Sequence, residues 1–203
     1  ATTNSSVIPA FTGEMGTWPV PGTAQQFQMF VTSPLEKKKR RTVFQVNVGA
    51  NDLYFSWAAQ EPLTEQLYEE IAHRTVKLVL DIEDYIGNNS DSKIIVSTMY
   101  PVNLIPFGKV YLGNYSSIAQ KYNRILFRLL DASVNRGKTH VFNFTQVVTH
   151  FINSSGLKQT KCPVTVPRNC SDYIFVDSFH PAASLHKVIA KKMTEFTNNV
   201  YNT

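Results

Sequence analysis

No stretch of this 203-residue chain is apolar for long enough to cross a bilayer, so no membrane span is expected. Charged residues make up only 17% of it and hydrophobic ones 43%, an ordinary globular composition long enough for one domain with a real core. A Gly-rich phosphate loop and a dinucleotide fingerprint are both absent, which argues against nucleotide chemistry, and no cofactor is expected. His73, His140, His150, His180 and His186 include no pair of the His-x-x-x-His type, so a metal enzyme is disfavoured. There is no internal repeat, no low-complexity tract and no interdomain linker. Nor does a secretory signal peptide open the chain: Ala1 to Phe11 is polar and lacks a charged-then-apolar start. If the protein is secreted, its original N-terminus is expected to have been removed or to lie elsewhere.

Cysteine is scarce as well. Cys162 and Cys170 flank the Pro-rich segment Pro163-Val-Thr-Val-Pro167, and both a short disulfide loop and two reduced thiols fit that spacing. Sequons bear on the choice. Asn4, Asn88, Asn114, Asn143, Asn153 and Asn169 each open an Asn-x-Ser/Thr triplet without proline. With 15 Asn and 33 Ser/Thr in the chain, chance gives roughly two or three such triplets. Six suggest a glycosylated chain from an oxidising compartment, which favours the disulfide and a secreted, extracellular location. The net charge of +5 owes much to one run, Lys37 to Arg41. A solvated loop before a strand is the favoured reading of that run; no aromatic interleaving or nucleic-acid motif accompanies it, so no nucleic-acid partner is expected.

Taken in order, residues 1–36 are poor in charge and rich in turn formers, with one amphipathic piece near Thr23–Val31 whose face would hold Gln26, Phe27, Met29, Phe30 and Val31. Thr42 to Val48 is rich in β-branched and aromatic residues and predicts a strand ending at Gly49. Gly49-Ala50-Asn51-Asp52 then reads as a strand-ending turn, where ligand sites of open α/β sheets lie. Pro62 to Ile86 predicts a long helix on the stripe Leu67, Ile71, Leu78, Ile82, Tyr85, stopped by Gly87. A strand at Lys93–Thr98, a loop through Pro101, Pro106, Gly108 and Gly113, and a second long helix over Tyr115–Asn135 follow. Thr139–Phe142 reads as a strand, Gln146–Ile152 as a short helix, Tyr173–Val176 as extended, and the run from Pro181 to Phe196 as a last helix burying Ala182, Leu185, Ile189, Met193 and Phe196. Such alternation predicts an α/β fold with a mostly parallel sheet covered on both faces.

Two stretches carry chemistry. Gly49-x-Asn51-Asp52 follows a strand, and Asp177-x-x-His180-Pro181 precedes the terminal helix; in a parallel sheet both fall at the same edge. An Asn amide there can donate to a developing oxyanion, and a His held by Asp can activate a hydroxyl nucleophile. Asp, Ser and Pro are also ordinary at helix starts, and Gly, Asn and Asp in turns. Together the stretches spell acyl transfer, with ester hydrolysis as the natural case.

Here the chain resembles the GDSL-type, or SGNH, hydrolase family, in its secreted esterase/lipase branch. Val46-Asn47-Val48-Gly49-Ala50-Asn51-Asp52 is similar to that family's block with the oxyanion Asn, and Val176-Asp177-Ser178-Phe179-His180-Pro181 to its final block with catalytic Asp and His. The resemblance implies a three-layer sandwich with a flavodoxin-like sheet in a single hydrolytic domain over residues 1–203. It also implies His180 as general base and then acid, Asp177 orienting it, and Asn51 donating to the oxyanion with Gly49 shaping the turn; Asp52 would brace the loop. The substrate would be an ester of a lipid or an acylated carbohydrate. Aromatic residues Tyr54, Phe55, Trp57, Tyr100 and Phe107 would line an acyl site or join the core, and the segments Ser56–Glu61 and Val102–Gly113 would set specificity.

One departure is large. The family's nucleophile lies in an N-terminal Gly-Asp-Ser block, and no Gly-Asp-Ser occurs here; the Asp-Ser pairs are Asp91-Ser92 and Asp177-Ser178, both in the wrong context. Ala1-Thr2-Thr3 is similar to the tail of the family's next segment. The expectation is therefore a domain whose first strand and serine are supplied by an N-terminal fragment of the same precursor, separated by a cut before Ala1. A catalytically inactive relative with a glycan-binding or structural role is the alternative.

Overall fold

The computed structural model describes residues 10–11, 19–33, 41–87, 91–112, 117–164 and 169–202. Asn4, Asn88, Asn114, Ala1 to Thr3 and the basic residues 37–40 lie outside them. In chain order the elements are β1 (Ala10–Phe11), β2 (Pro19–Val20), α1 (Thr23–Thr32), β3 (Val43–Val46), α2 (Ala50–Ala58), α3 (Glu65–Ile86), β4 (Lys93–Ser97), α4 (Pro106–Tyr111), α5 (Ile118–Asn135), β5 (Thr139–Phe142), α6 (Phe144–Ser154), β6 (Lys158–Lys161), β7 (Tyr173–Phe175) and α7 (Ala183–Asn202). This is the mixed α/β class with parallel sheets that the alternation of strand and helix patterns predicts. No helix of the described residues is long and apolar enough to cross a membrane. The chain divides into two compact units, residues 1–97 with 121–141, and residues 98–120 with 142–203.

The first unit is built on a sheet of order β3-β4-β5. β3 and β4 are parallel, from Val43 beside Lys93 to Val46 beside Val96. The Ile94 amide donates to the Lys138 carbonyl at 2.9 Å, which seats β5 on the far side of β4. Ile94, Ile95 and Val96 are all buried, as in a strand covered on both faces. Helix α3 starts where the Thr64 hydroxyl accepts the Leu67 amide at 3.2 Å, and stops at Gly87, whose φ of 63° favours glycine. Its stripe Ile71, Leu78, Val79 and Ile82 is fully inside, each side chain contributing about 1.5–3 kcal/mol. One buried polar pair joins it to α5: the Thr75 hydroxyl lies 3.1 Å from the Tyr122 hydroxyl and donates to the Ile71 carbonyl. At its C-terminal end Glu83 receives the Thr139 hydroxyl at 2.7 Å and pairs with Arg136. Phe27 and Phe30 of α1 pack edge-on against Phe44 and Tyr85, so Tyr85 is in an aromatic cluster although 39% exposed. Met29 of the predicted α1 face points to solvent instead.

The second unit carries α4, α6, the parallel pair β6-β7, and α7. α6 begins at Asn143, whose side chain accepts the Gln146 amide at 3.0 Å, and packs through Val148 and Ile152, while α7 buries Leu185 and Val200. Cys162, at the end of β6, is buried and bonded to Cys170, with Cα atoms 5.6 Å apart. Closing a loop with a sequence separation of 8 is worth about 2–3 kcal/mol against the unfolded chain.

Three sequence expectations are corrected. Gly49 to Asp52 is not a free turn: Gly49, at φ 101°, is the residue before α2, and Asn51 and Asp52 sit in that helix's first turn. Consequently the first half of Ser56–Glu61 is helix rather than loop. The segment after Pro101 holds the short helix α4, started by Pro106 at its first position, where a missing N–H costs nothing. Finally β6 is a strand of four exposed residues, Lys158 to Lys161, with no apolar alternation to announce it.

Candidate functional site

β7 ends in a closed loop that presents Asp177 and His180. Ladder-like bonds shut it at the base: the Val176 amide donates to the His180 carbonyl at 2.9 Å and the Ala182 amide to the Ile174 carbonyl at 2.7 Å. Inside, Asp177 uses its two oxygens differently. Oδ1 accepts the backbone amides of Phe179 and His180, each at 2.7 Å. Oδ2 lies 2.8 Å from Nδ1 of His180. A carboxyl that accepts two amides has nothing left to arrange locally except the ring, so the i,i+3 spacing read from the sequence fixes the pair without help from distant segments.

Partial burial pushes the Asp177 carboxyl up, but the two amides and the His180 ring outweigh it and hold the group below its ordinary value. An ionised carboxylate only accepts, so Nδ1 carries the proton and Nε2 is left as the basic nitrogen. The His180 side chain is 73% exposed, so Nε2 is accessible to a reacting group.

A contact that the sequence does not announce braces this loop. The Phe107 amide of α4 donates to the Ser178 carbonyl at 2.9 Å, and the Phe107 and Phe179 rings stack at 4.5 Å and 30°. Phe107 is thereby buried beside the Asp177–His180 turn; Tyr100, also proposed as acyl lining, packs on Phe144, and its hydroxyl is pushed up by burial. Neither segment's pattern signals the pairing, since Phe107 and Ser178 are far apart in sequence.

The other stretch belongs to the first unit. Gly49 adopts the left-handed conformation, its carbonyl accepting the Leu53 amide at 3.2 Å, and so turns the chain from β3 into α2. Asn51 is half-buried in the first helical turn, while Asp52 and Leu53 face inward. Asp52 is close enough to add to the upward push that burial gives the Tyr122 hydroxyl, which fits a bracing role. Tyr54 and Trp57 stack on the outer side of the helix with ring centroids 6.0 Å apart. The structure thus joins Asp177 to His180, and places Gly49 and Asn51 together at the start of α2.

Of the two Asp-Ser pairs, the first offers no accessible nucleophile. Ser92 is buried and its Oγ accepts the Thr42 amide at 3.2 Å, and Ser178 lies within the turn whose carbonyl is taken by Phe107. Among the sequons, Asn143, Asn153 and Asn169 are exposed. Comparison with known proteins adds one match: a family model described as GDSL-like Lipase/Acylhydrolase covers residues 12–193, which include Gly49, Asn51, Asp177 and His180. No curated protein matches the chain.

Proposed function

The chain belongs to the GDSL-like lipase/acylhydrolase family, and on that premise we propose that it is a carboxylic ester hydrolase of the Ser-His-Asp type. The observation that carries the proposal is the Asp177–His180 pair, with Nδ1 held at 2.8 Å by a carboxylate that two amides keep ionised. His180 Nε2 takes the proton of a serine hydroxyl as its oxygen attacks the ester carbonyl. Asn51 donates its side-chain amide to the resulting oxyanion, and Gly49 sets the turn that presents it. The C–O bond then breaks, the alcohol leaves with the proton from Nε2, and water repeats the sequence to release the acid and restore the serine. Asp177 stays ionised throughout and stabilises the imidazolium.

The serine is assigned to a segment outside these 203 residues, because the Gly-Asp-Ser block of the family does not occur within them and Ser92 is buried. The substrate class is an ester of a lipid or an acylated carbohydrate. Extracellular work, with glycans at the exposed sequons, accords with the Cys162–Cys170 disulfide. The missing block is also the one observation that favours a second reading, an inactive relative that binds glycans or serves as structure.

Fluorophosphonate labelling of the purified natural protein, followed by peptide mass spectrometry, separates the two. A labelled serine on an N-terminal segment of the precursor, lost when His180 is replaced by Ala, is the result expected. Absence of any labelled serine in the assembled protein sinks the hydrolase reading and leaves the binding one.

A further inference from the structure

Among the described residues of the second unit, the most exposed apolar side chains stand beside the loop that carries Asp177 and His180. α4 turns Lys109, Val110 and Tyr111 outward in succession, with Val110 71% and Tyr111 59% exposed. Its inner residue Phe107 is tied to that loop by the amide bond to Ser178 and the stack on Phe179. On its other flank Lys109 donates to the Gln159 side chain of β6 at 2.7 Å. Lys161, at the end of that strand, is exposed. Just beyond it Val164, in the disulfide loop, is 88% exposed.

We propose that α4, the end of β6 and the start of the disulfide loop form a docking surface for anionic lipid bilayers. An apolar tip flanked by lysines matches a layer of hydrocarbon under phosphate in both polarity and charge. A tyrosine ring sits at headgroup depth with its hydroxyl in water. Lysine stems lie along apolar surface while their ammonium groups reach the phosphates. A protein partner would need a fixed complementary shape; a lipid surface needs only the tip and the cations. Since α4 is bonded to the Ser178 carbonyl, docking would bring the Asp177–His180 loop to the surface where water-insoluble esters lie.

The test is sedimentation with vesicles made from ether-linked lipids, which no esterase can cleave, so binding is read without hydrolysis and its outcome is independent of the ester-hydrolase reading. The whole purified protein should partition onto vesicles containing phosphatidylglycerol and much less onto phosphatidylcholine alone, with the difference shrinking in high salt. Val110→Ser with Tyr111→Ser should lower the partition coefficient about tenfold, and Lys161→Ala about fivefold. All three residues are exposed, so the fold should persist, as unchanged circular dichroism would verify. Lys121→Ala, on the outer face of α5, should have no effect. Failure to bind phosphatidylglycerol vesicles overturns the proposal. So does an equal loss from Lys121→Ala, which would mean diffuse attraction by the net charge, or undiminished binding by the Val110/Tyr111 variant.

Discussion

Asp177 and Asn look alike in size and differ in what they offer an imidazole. In Asp177→Asn the Oδ1 bonds to the amides of Phe179 and His180 can persist, but the second position becomes an N–H facing Nδ1. The ring must then put its proton on Nε2, the nitrogen proposed to act as base. We expect ester hydrolysis by the assembled enzyme to fall about 10⁴-fold with substrate binding little changed, as steady-state kinetics would show. Asn51→Ala should cost about 10²–10³-fold in kcat through loss of one oxyanion donor; loss in KM alone would remove Asn51 from that role. The carboxyl of Asp177 also links stability to pH. Its folded pKa lies below the ordinary 3.8, so the folded chain binds fewer protons than the unfolded one in that range. The contribution is complete above the unfolded value and is lost as pH falls through the folded one. Acid titrations of stability for wild type and Asp177→Asn should therefore run parallel at neutral and mildly acidic pH and converge only below about pH 4.

Elements differ in how openly the sequence declares them. The helices α3 and α5 are legible because their burial follows a single period, 3.6 residues for Ile71, Leu78, Ile82 and for Ile118, Tyr122, Ile125. Asp177 and His180 are legible for a related reason: every bond that joins them is local. α2 is not, because its apolar residues come almost consecutively, Leu53, Tyr54, Phe55 and Trp57, and only Leu53 is inside. α4 is less than two turns long, too short for any period, and β6 is exposed along its whole length. What fixes α4 is tertiary, and Gly108 records it. A Cβ at Gly108 would run into the backbone carbonyl of Val102, which has no flexible end to move away. Gly108→Ala should then destabilise the protein by about 3 kcal/mol and, by shifting Phe107 off the Ser178 carbonyl, lower activity as well. Denaturant unfolding checks the first effect; unchanged stability would show that the α4 segment is held by something other than this close approach.

At the scale of the whole molecule, the proposed glycosylation would meet folding at Asn169. Its sequon, Asn169-Cys170-Ser171, has as its middle residue one half of the disulfide to Cys162. In the folded chain the Asn169 side-chain oxygen accepts the Ser171 amide at 3.0 Å, and the bond to Cys162 holds the same turn from its centre. Attachment of a glycan to the side-chain nitrogen needs the sequon accessible and conformationally free, which the closed loop opposes. Asn143 is under no such constraint: its cap bond to Gln146 uses Oδ1 and forms only when α6 does, and a glycan bonded to Nδ2 leaves that oxygen in place. On the proposed reading of a glycosylated, extracellular chain, the order of events should thus be written into occupancy. If the disulfide closes first, Asn169 carries glycan on a smaller fraction of chains than Asn143 or Asn153, and Cys162→Ser, which keeps the sequon intact but abolishes the loop, raises that fraction. Enzymatic removal of glycans in ¹⁸O-water, followed by peptide mass spectrometry, reads each site as Asp or Asn. Equal occupancy at all three sites, unmoved by Cys162→Ser, would mean that glycans are added before the loop closes and that the disulfide forms around an already modified Asn169.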